Sequence, residues 1–323
     1  MFFSALKTII QIFKTQYKKI LIWFLIIWGF FAFGFGSLFG WLIGSHPALS
    51  KFPEISATDK ILIVAPHIDD EIISSAGLIQ EALSKGAQIK IVYLTNGDNN
   101  YFSIIKINKN LKETPNDFIS LGEKRMLEAK EAAGVLNVSS SSLIFLGYPD
   151  HGLTYLFRNN FFTPYTPKSL QVNYNPYSGT YRKSQLYTGI NLLNDLKEII
   201  NDFEPTMIIT PHPRDMNLDH QYAYHFILAA LEGNETEIKL YGYLVHYRNY
   251  PLEKGLQLNK FLYPPSKLFT KEGWLSLNLE EEQEKSKLDA LYKNQSQFYF
   301  YPNGGKMLLE SLVRKNEIFE ELN

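Results

Sequence analysis

The chain begins with an apolar block that occurs nowhere else in it. From Ile20 to Gly44 no charged side chain interrupts ILIWFLIIWGFFAFGFGSLFGWLIG. As a helix this run would extend about 37 Å at roughly 1.5 Å per residue, enough to cross a bilayer with some tilt. It is longer than the apolar core of a cleaved leader, and no A-x-A site follows it, so the expectation is an uncleaved transmembrane helix over 20–44. Residues 1–19 hold Lys7, Lys14, Lys18 and Lys19 and no acid, whereas Lys51, Glu54, Asp59 and Lys60 follow the span. That asymmetry predicts a basic segment inside the cell and the rest of the chain outside.

Beyond a polar linker over 45–58, with Pro47 and Pro53, the pattern changes to short apolar runs alternating with amphipathic stretches. Strands are predicted at Lys60–Ala65, Ile89–Leu94, Leu143–Leu146, Met207–Thr210 and Lys239–Val245. Helices are predicted from about Glu71 to Ser84, Leu121 to Ala133, Gly189 to Phe203 and Tyr222 to Leu231. This alternation implies one α/β domain over 59–323, a mostly parallel sheet with helices on both faces. Residues 152–188 form a long connection rich in Tyr and Phe, too aromatic for a disordered segment.

Composition narrows the chemistry. Basic and acidic residues number 32 and 33, for a formal net charge of −1, without the basic excess of a nucleic-acid binder. All four N-terminal lysines lie ahead of the predicted domain, which is therefore acidic. The chain has no cysteine, which excludes disulfides, Cys-ligated zinc, iron–sulfur clusters and a Cys nucleophile. Walker-type, H-E-x-x-H and G-x-S-x-G patterns are also missing.

The titratable residues cluster just past the ends of successive strands, where open α/β sheets bind ligands. Pro66-His67-Ile68-Asp69-Asp70-Glu71 follows the first strand. His67 and Asp70 are good ligands for Zn²⁺ or Fe²⁺, and their spacing can put both on one side of a first helical turn. The competing reading is that Asp69 or Asp70 only caps the helix. His212-Pro-Arg-Asp215-Met-Asn217-Leu-Asp219-His220 follows a later strand. It offers His220 as a third ligand, with Asp219 available to orient it. A His₂Asp set leaves a coordination position open, as catalytic zinc sites do.

Ala65-Pro-His-Ile-Asp-Asp-Glu71 resembles the P-H-x-D-D-E signature of the PIG-L/LmbE-like N-acetylglucosaminyl deacetylase family. His212-Pro-x-Asp215 through Asp219-His220 is similar to its second motif, H-P-x-D-x-H-x-D-H. Thr95-Asn96-Gly97-Asp98, Gly122-Glu-x-Arg125 and Leu146-Gly-Tyr-Pro-Asp150 are also family-like. The resemblance implies a Rossmann-like fold, with His67, Asp70 and His220 as zinc ligands and Asp69 as general base. It places Arg125 and Asp150 against the sugar, and Asn96 and Asp98 at a family-like strand end beside them. The chain departs from the pattern at Asn217, where the family has a histidine. Asn cannot supply a proton at neutral pH, although its amide can donate a hydrogen bond to an oxyanion. His212 and His246 are then the substitute acids. Without the resemblance, Arg125 beside Glu128 reads as a surface ion pair worth about 0–1 kcal/mol.

The expected function is removal of an N-acetyl group from an N-acetylglucosamine-type sugar in a cell-surface glycan or glycolipid. The alternatives are a sugar-binding relic, with Asn217 marking lost activity, and a metal-dependent hydrolase of another amide or ester. The sequence does not fix the oligomeric state. The charge asymmetry makes a first prediction. Protease added to intact cells should digest the chain beyond Ser45, and digestion only after lysis would reverse the orientation.

Overall fold

The computed structural model describes residues 17–19, 22–23, 49–109, 113–234, 236–269, 273–298 and 304–322. The chain divides into two units, Met1–Ala48 and Leu49–Asn323. In the first, residues 17–19 and 22–23 are helical and exposed. The remainder of the predicted 20–44 span lies outside the described residues. Among the described residues no helix is long and apolar enough to cross a membrane.

The second unit is built on one eight-stranded sheet, in the order β1-β7-β8-β6-β5-β2-β3-β4. The strands are β1 (Ser50–Lys51), β2 (Lys60–Ala65), β3 (Gln88–Thr95), β4 (Leu143–Tyr148), β5 (Met207–Pro211), β6 (Lys239–Tyr243), β7 (Trp274–Asn278) and β8 (Asn316–Leu322). The block from β6 through β5, β2 and β3 to β4 is parallel throughout. β8 departs from the predicted parallel arrangement: it runs antiparallel to β6 on one side and to β7 on the other. The segment read as a linker supplies β1, which pairs with β7, and it buries Phe52 and Ile55.

Period-two alternation sorts each strand between two cores. In β2, Ile61, Ile63 and Ala65 face one core, while Leu62 and Val64 face the other. The first core is covered by α1 (Asp70–Lys85), α3 (Pro115–Val135) and α7 (Glu281–Leu291). The second is covered by α4 (Leu153–Arg158), α5 (Gly189–Phe203) and α6 (Leu218–Leu231). The short α2 (Tyr101–Asn108) and α8 (Gly304–Ser311) flank the carboxyl side of the sheet. α1 and α5 match the predicted helices closely, whereas α6 begins four residues before the predicted start at Tyr222. The long connection contains α4 and is pinned by a Tyr174–Leu186 bridge.

β2 and β5 are neighbours, and the helices that follow them leave to opposite faces: α1 joins one core and α6 the other. Strand order reverses at this point, and a crevice opens between the two carboxyl ends.

β8 also fixes α1. The Glu317 carboxylate accepts hydrogen bonds from Gly77 N at 2.8 Å, Leu78 N at 2.9 Å and Lys287 Nζ at 2.7 Å. A Cβ on Gly77 would stand 2.0 Å from Leu279 Cδ2, so glycine permits this close approach. Lys287 and Glu317 are both fully buried. Replacing Lys287 by Met should therefore destabilise the fold by about 3–5 kcal/mol, the cost of stranding a buried charge. Denaturant unfolding measures it, and an unchanged midpoint would show that the backbone amides alone satisfy Glu317.

Candidate metal centre and active site

The three candidate ligands are hung from two turns. The first follows β2 and runs Pro66-His67-Ile68-Asp69 into α1. Asp69 is the N-cap of α1, with φ of 115°, a left-handed conformation that a non-glycine residue adopts only under constraint. Its side chain makes no capping hydrogen bond, and its backbone N–H donates to Glu71 Oε2 at 3.1 Å. The carboxylate is left free to face the cavity. Asp70 turns back instead, and its Oδ2 accepts from His67 N at 2.9 Å. Helix capping therefore does not explain Asp69.

The second turn follows β5. Asn217 caps α6, its side-chain oxygen accepting from Asp219 N at 2.8 Å. Because the helix starts here, Asp219 and His220 both lie in its first turn. His220 Nε2 lies 3.2 Å from Asp70 Oδ2, and His67 Nδ1 lies 3.3 Å from the same oxygen. His67, Asp70 and His220 thus bring one ligand atom each within 4.8 Å of one another. This is the trio read from the two motifs.

Each imidazole has a carboxylate on its far side. Asp215 Oδ2 stands 3.2 Å from His220 Nδ1. It also accepts from Val245 N and His246 N, which fixes it in place. The residue orienting His220 is therefore Asp215 and not Asp219. Asp219 is turned toward His67, 3.5 Å from Nε2, and accepts from His151 N and Leu153 N. Asp150 Oδ1 lies 3.2 Å from the same nitrogen. Carboxylates behind ligand histidines fix the tautomer and aim the metal-facing nitrogen.

The electrostatics are those of a cation site. Burial would lower both imidazoles, but Asp150, Asp219 and Asp70 raise His67 well above its ordinary value. Asp215 and Asp70 likewise raise His220 to about 10. Burial would raise Asp70, yet His220 and His67 hold it far below the usual carboxylate range. Burial and the Asp70 charge push Asp69 well up, against Arg125. Neither ring nitrogen of fully buried His220 reaches hydrogen-bonding geometry with a neighbour. Two nitrogens and one carboxylate oxygen, set among further acids, fit a divalent metal of the zinc or iron type.

The remaining predicted residues divide. Arg125 is buried, not part of a surface pair. It donates to Gly97 O, to Ser296 Oγ at 3.3 Å and to Ser103 Oγ at 3.3 Å, and it lines a cavity of about 210 Å³ with His67, Asp69 and Asp70. Burial lowers its pKa, countered by Asp69 and Asp150. Asp150, Asn217 and His246 line the same cavity. His246 stands 4.9 Å from the His220 ring, and burial and that neighbour lower it to about 4. His212 is turned elsewhere. It stacks on Trp274, pairs with Glu320 through Nε2 and accepts from Arg214 N through Nδ1, so both nitrogens are engaged. Asn96 and Asp98 are fully buried behind the wall and do not line it. Asn96 donates to Met126 Sδ, and Asp98 holds Asp150 N and the Tyr177 hydroxyl.

The sequence did not point to His151, Gln297 or Leu309, which also line the cavity. His151 had a signal in its place beside Asp150 at a strand end. Gln297 and Leu309 had none, because they arrive from a segment remote in the chain.

A mostly parallel sheet with His₂Asp at its switch point and an aspartate beside it is an arrangement that could hold a metal ion. The family model described as GlcNAc-PI de-N-acetylase, PIG-L, matches residues 62–231, over half the chain and both motifs. The chain belongs to this family. Among solved structures, it is similar to the zinc-inhibited form of teicoplanin deacetylase Orf2. There the identity is 14% and the TM-score 0.52, over 81% of this chain and 97% of that one. It is also similar to the A40926 pseudoaglycone deacetylase Dbv21, at 16% identity and TM-score 0.51 over 82% and 97%. N,N'-diacetylchitobiose deacetylase from Pyrococcus horikoshii matches at 17% identity and TM-score 0.49, over 82% and 84%. No curated protein matches the chain. At these identities the two structures with TM-scores of 0.52 and 0.51 establish the shared fold alone.

The geometry around His220 makes a prediction of its own. Asp215→Ala should weaken metal binding by about 10–100-fold, the usual worth of a carboxylate behind a ligand histidine. Metal titration of the folded variant measures it. Undiminished affinity would remove Asp215 from the site.

Proposed function

We propose that the chain is a zinc-dependent deacetylase that removes the N-acetyl group from an N-acetylglucosamine-type sugar. In this reading residues 20–44 anchor it in the cell membrane, the catalytic unit lies outside, and the substrate belongs to a surface glycan or glycolipid. The observation that carries the reading is the convergence of His67, Asp70 and His220, with the uncommitted Asp69 carboxylate beside them in one cavity.

His67, Asp70 and His220 would hold the metal. When bound, zinc supplies a Lewis acid for the acetamide carbonyl and lowers the pKa of its water to about 7. Asp69, whose carboxylate lines the cavity without capping α1, takes the proton of the attacking water. Arg125 lies in the same wall as a fixed positive charge that acts electrostatically on Asp69 and Asp150 and could meet a sugar hydroxyl. His246 lines the same cavity and, held at about 4, is neutral at rest, so it would pass to the leaving amine the proton that Asp69 takes from the water. Asn217 caps α6 with its oxygen, which leaves its amide N–H₂ for the substrate. Acetate departs, and a free amine remains on the sugar. Asn217 in place of an acid also favours the alternative of a weakened, sugar-binding member of the family. Retention of Asp69, which mere binding does not need, supports the enzyme.

Asp69→Asn should keep its bound metal while turnover falls by roughly 10²–10⁴. His246→Ala should also be slow. Acetate release and metal content, measured together on the full chain, test both. Equal rates for Asp69→Asn and the parent would refute the mechanism, and no acetate from any N-acetyl sugar would favour the binding reading.

A further inference from the structure

The small cavity is too tight for a whole glycan. Its volume of about 210 Å³ falls below the roughly 300–1,000 Å³ that enclosed ligands of ordinary size need. A second cleft of about 900 Å³ adjoins it and shares Asp150, His151 and Asn217 as a common edge. A substrate that extends beyond the reacting acetamide can pass over that edge into the larger cleft.

The second cleft has a distinctive wall. Tyr155, on α4, and Tyr165 stack face to face, with centroids 4.9 Å apart and planes 9° from parallel. Tyr165 is half-buried and its backbone N–H donates to Tyr187 O at 2.8 Å, so it backs the pair. Tyr155 is 48% exposed and presents its other face. The hydroxyls of Thr154 and Ser169, buried in the same wall, have no hydrogen-bond partner among the described residues. Away from the acidic edge at Asp150 and Asp219, the only charged lining groups among the described residues are Glu113 and Lys168, whose charges cancel.

A ring edge of C–H groups packs on the negative face of an aromatic, and equatorial hydroxyls then seek donors and acceptors beside it. A phosphate would instead call for a cluster of cations. We propose that this cleft binds a second, uncharged sugar ring, the one next to the N-acetylated unit, stacked on Tyr155 with Tyr165 behind it. The substrate class is thus an extended neutral glycan, not a single sugar or a sugar carried on a phosphate. The proposal rests on the deacetylase reading for its orientation, with the acetamide in the small cavity.

The test compares N-acetylglucosamine, N,N'-diacetylchitobiose and the corresponding tetramer on the full chain. The parent should show a higher kcat/KM on the oligomers. Tyr155→Ala should cut that advantage by about tenfold, the worth of one aromatic contact, while Tyr155→Phe keeps it. Equal losses on monomer and oligomer, or none, would overturn the subsite. Calorimetric binding of the same sugars to Asp69→Asn separates the subsite from the chemistry. Length-dependent affinity lost in Asp69→Asn/Tyr155→Ala, with no acetate released by the parent, upholds the cleft and rejects the deacetylase. Acetate release with affinity independent of length rejects the cleft and upholds the enzyme.

Discussion

The centre of the molecule is governed by an excess of negative charge that has been taken out of water. Asp69, Asp70, Asp150, Asp215 and Asp219 are all buried, and they surround two imidazoles and one guanidinium. Burying unpaired carboxylates costs several kcal/mol each unless cations meet them. The two imidazoles, raised by these acids, offset part of that charge, and a divalent ion held by His67, Asp70 and His220 would offset more. The rest of the structure serves to hold these acids where they repel one another.

The parallel neighbours β2 and β5 do most of that work. Each ends in a turn carrying ligands, and the following helices diverge, so the two turns confront each other across open space. Backbone amides fix the acids in this arrangement. Asp215 is held by two N–H groups after β6, Asp219 by two at the start of α4, and Asp150 by Asn99 N. The side chains that position the histidines are thus locked by the same sheet that delivers them.

Much of this was legible in the sequence. The runs Ile61–Ala65 and Met207–Ile209 are uniformly apolar, and the turns that carry the candidate ligands follow them, so trio and sheet edge could be read together. β8 was hidden because Asn316–Leu322 carries Glu317, Glu320 and Glu321, and a strand with three acids does not look buried. Glu317 is inside only because Lys287, 30 residues earlier, comes in with it. Asp219 was read as the residue orienting His220, but Asn217 starts α6 early and turns Asp219 toward His67, and Asp215 stands behind His220 instead. Arg125 looked superficial because Ser296, far along the chain, is what covers it.

The C-terminal position of β8 bears on how the chain is made. The parallel block from β2 to β6 is complete once residue 243 has been synthesised, and it contains every ligand of the proposed metal. The strand that joins β6 to β7, and the cavity wall at Gln297 and Leu309, come roughly fifty to eighty residues later. Domains fold as they emerge from the ribosome. During that interval the nascent chain carries an acidic crevice without its lid and a sheet edge at β6 without its partner. An ion captured at that stage would offset part of the crevice's charge before the last strand arrives.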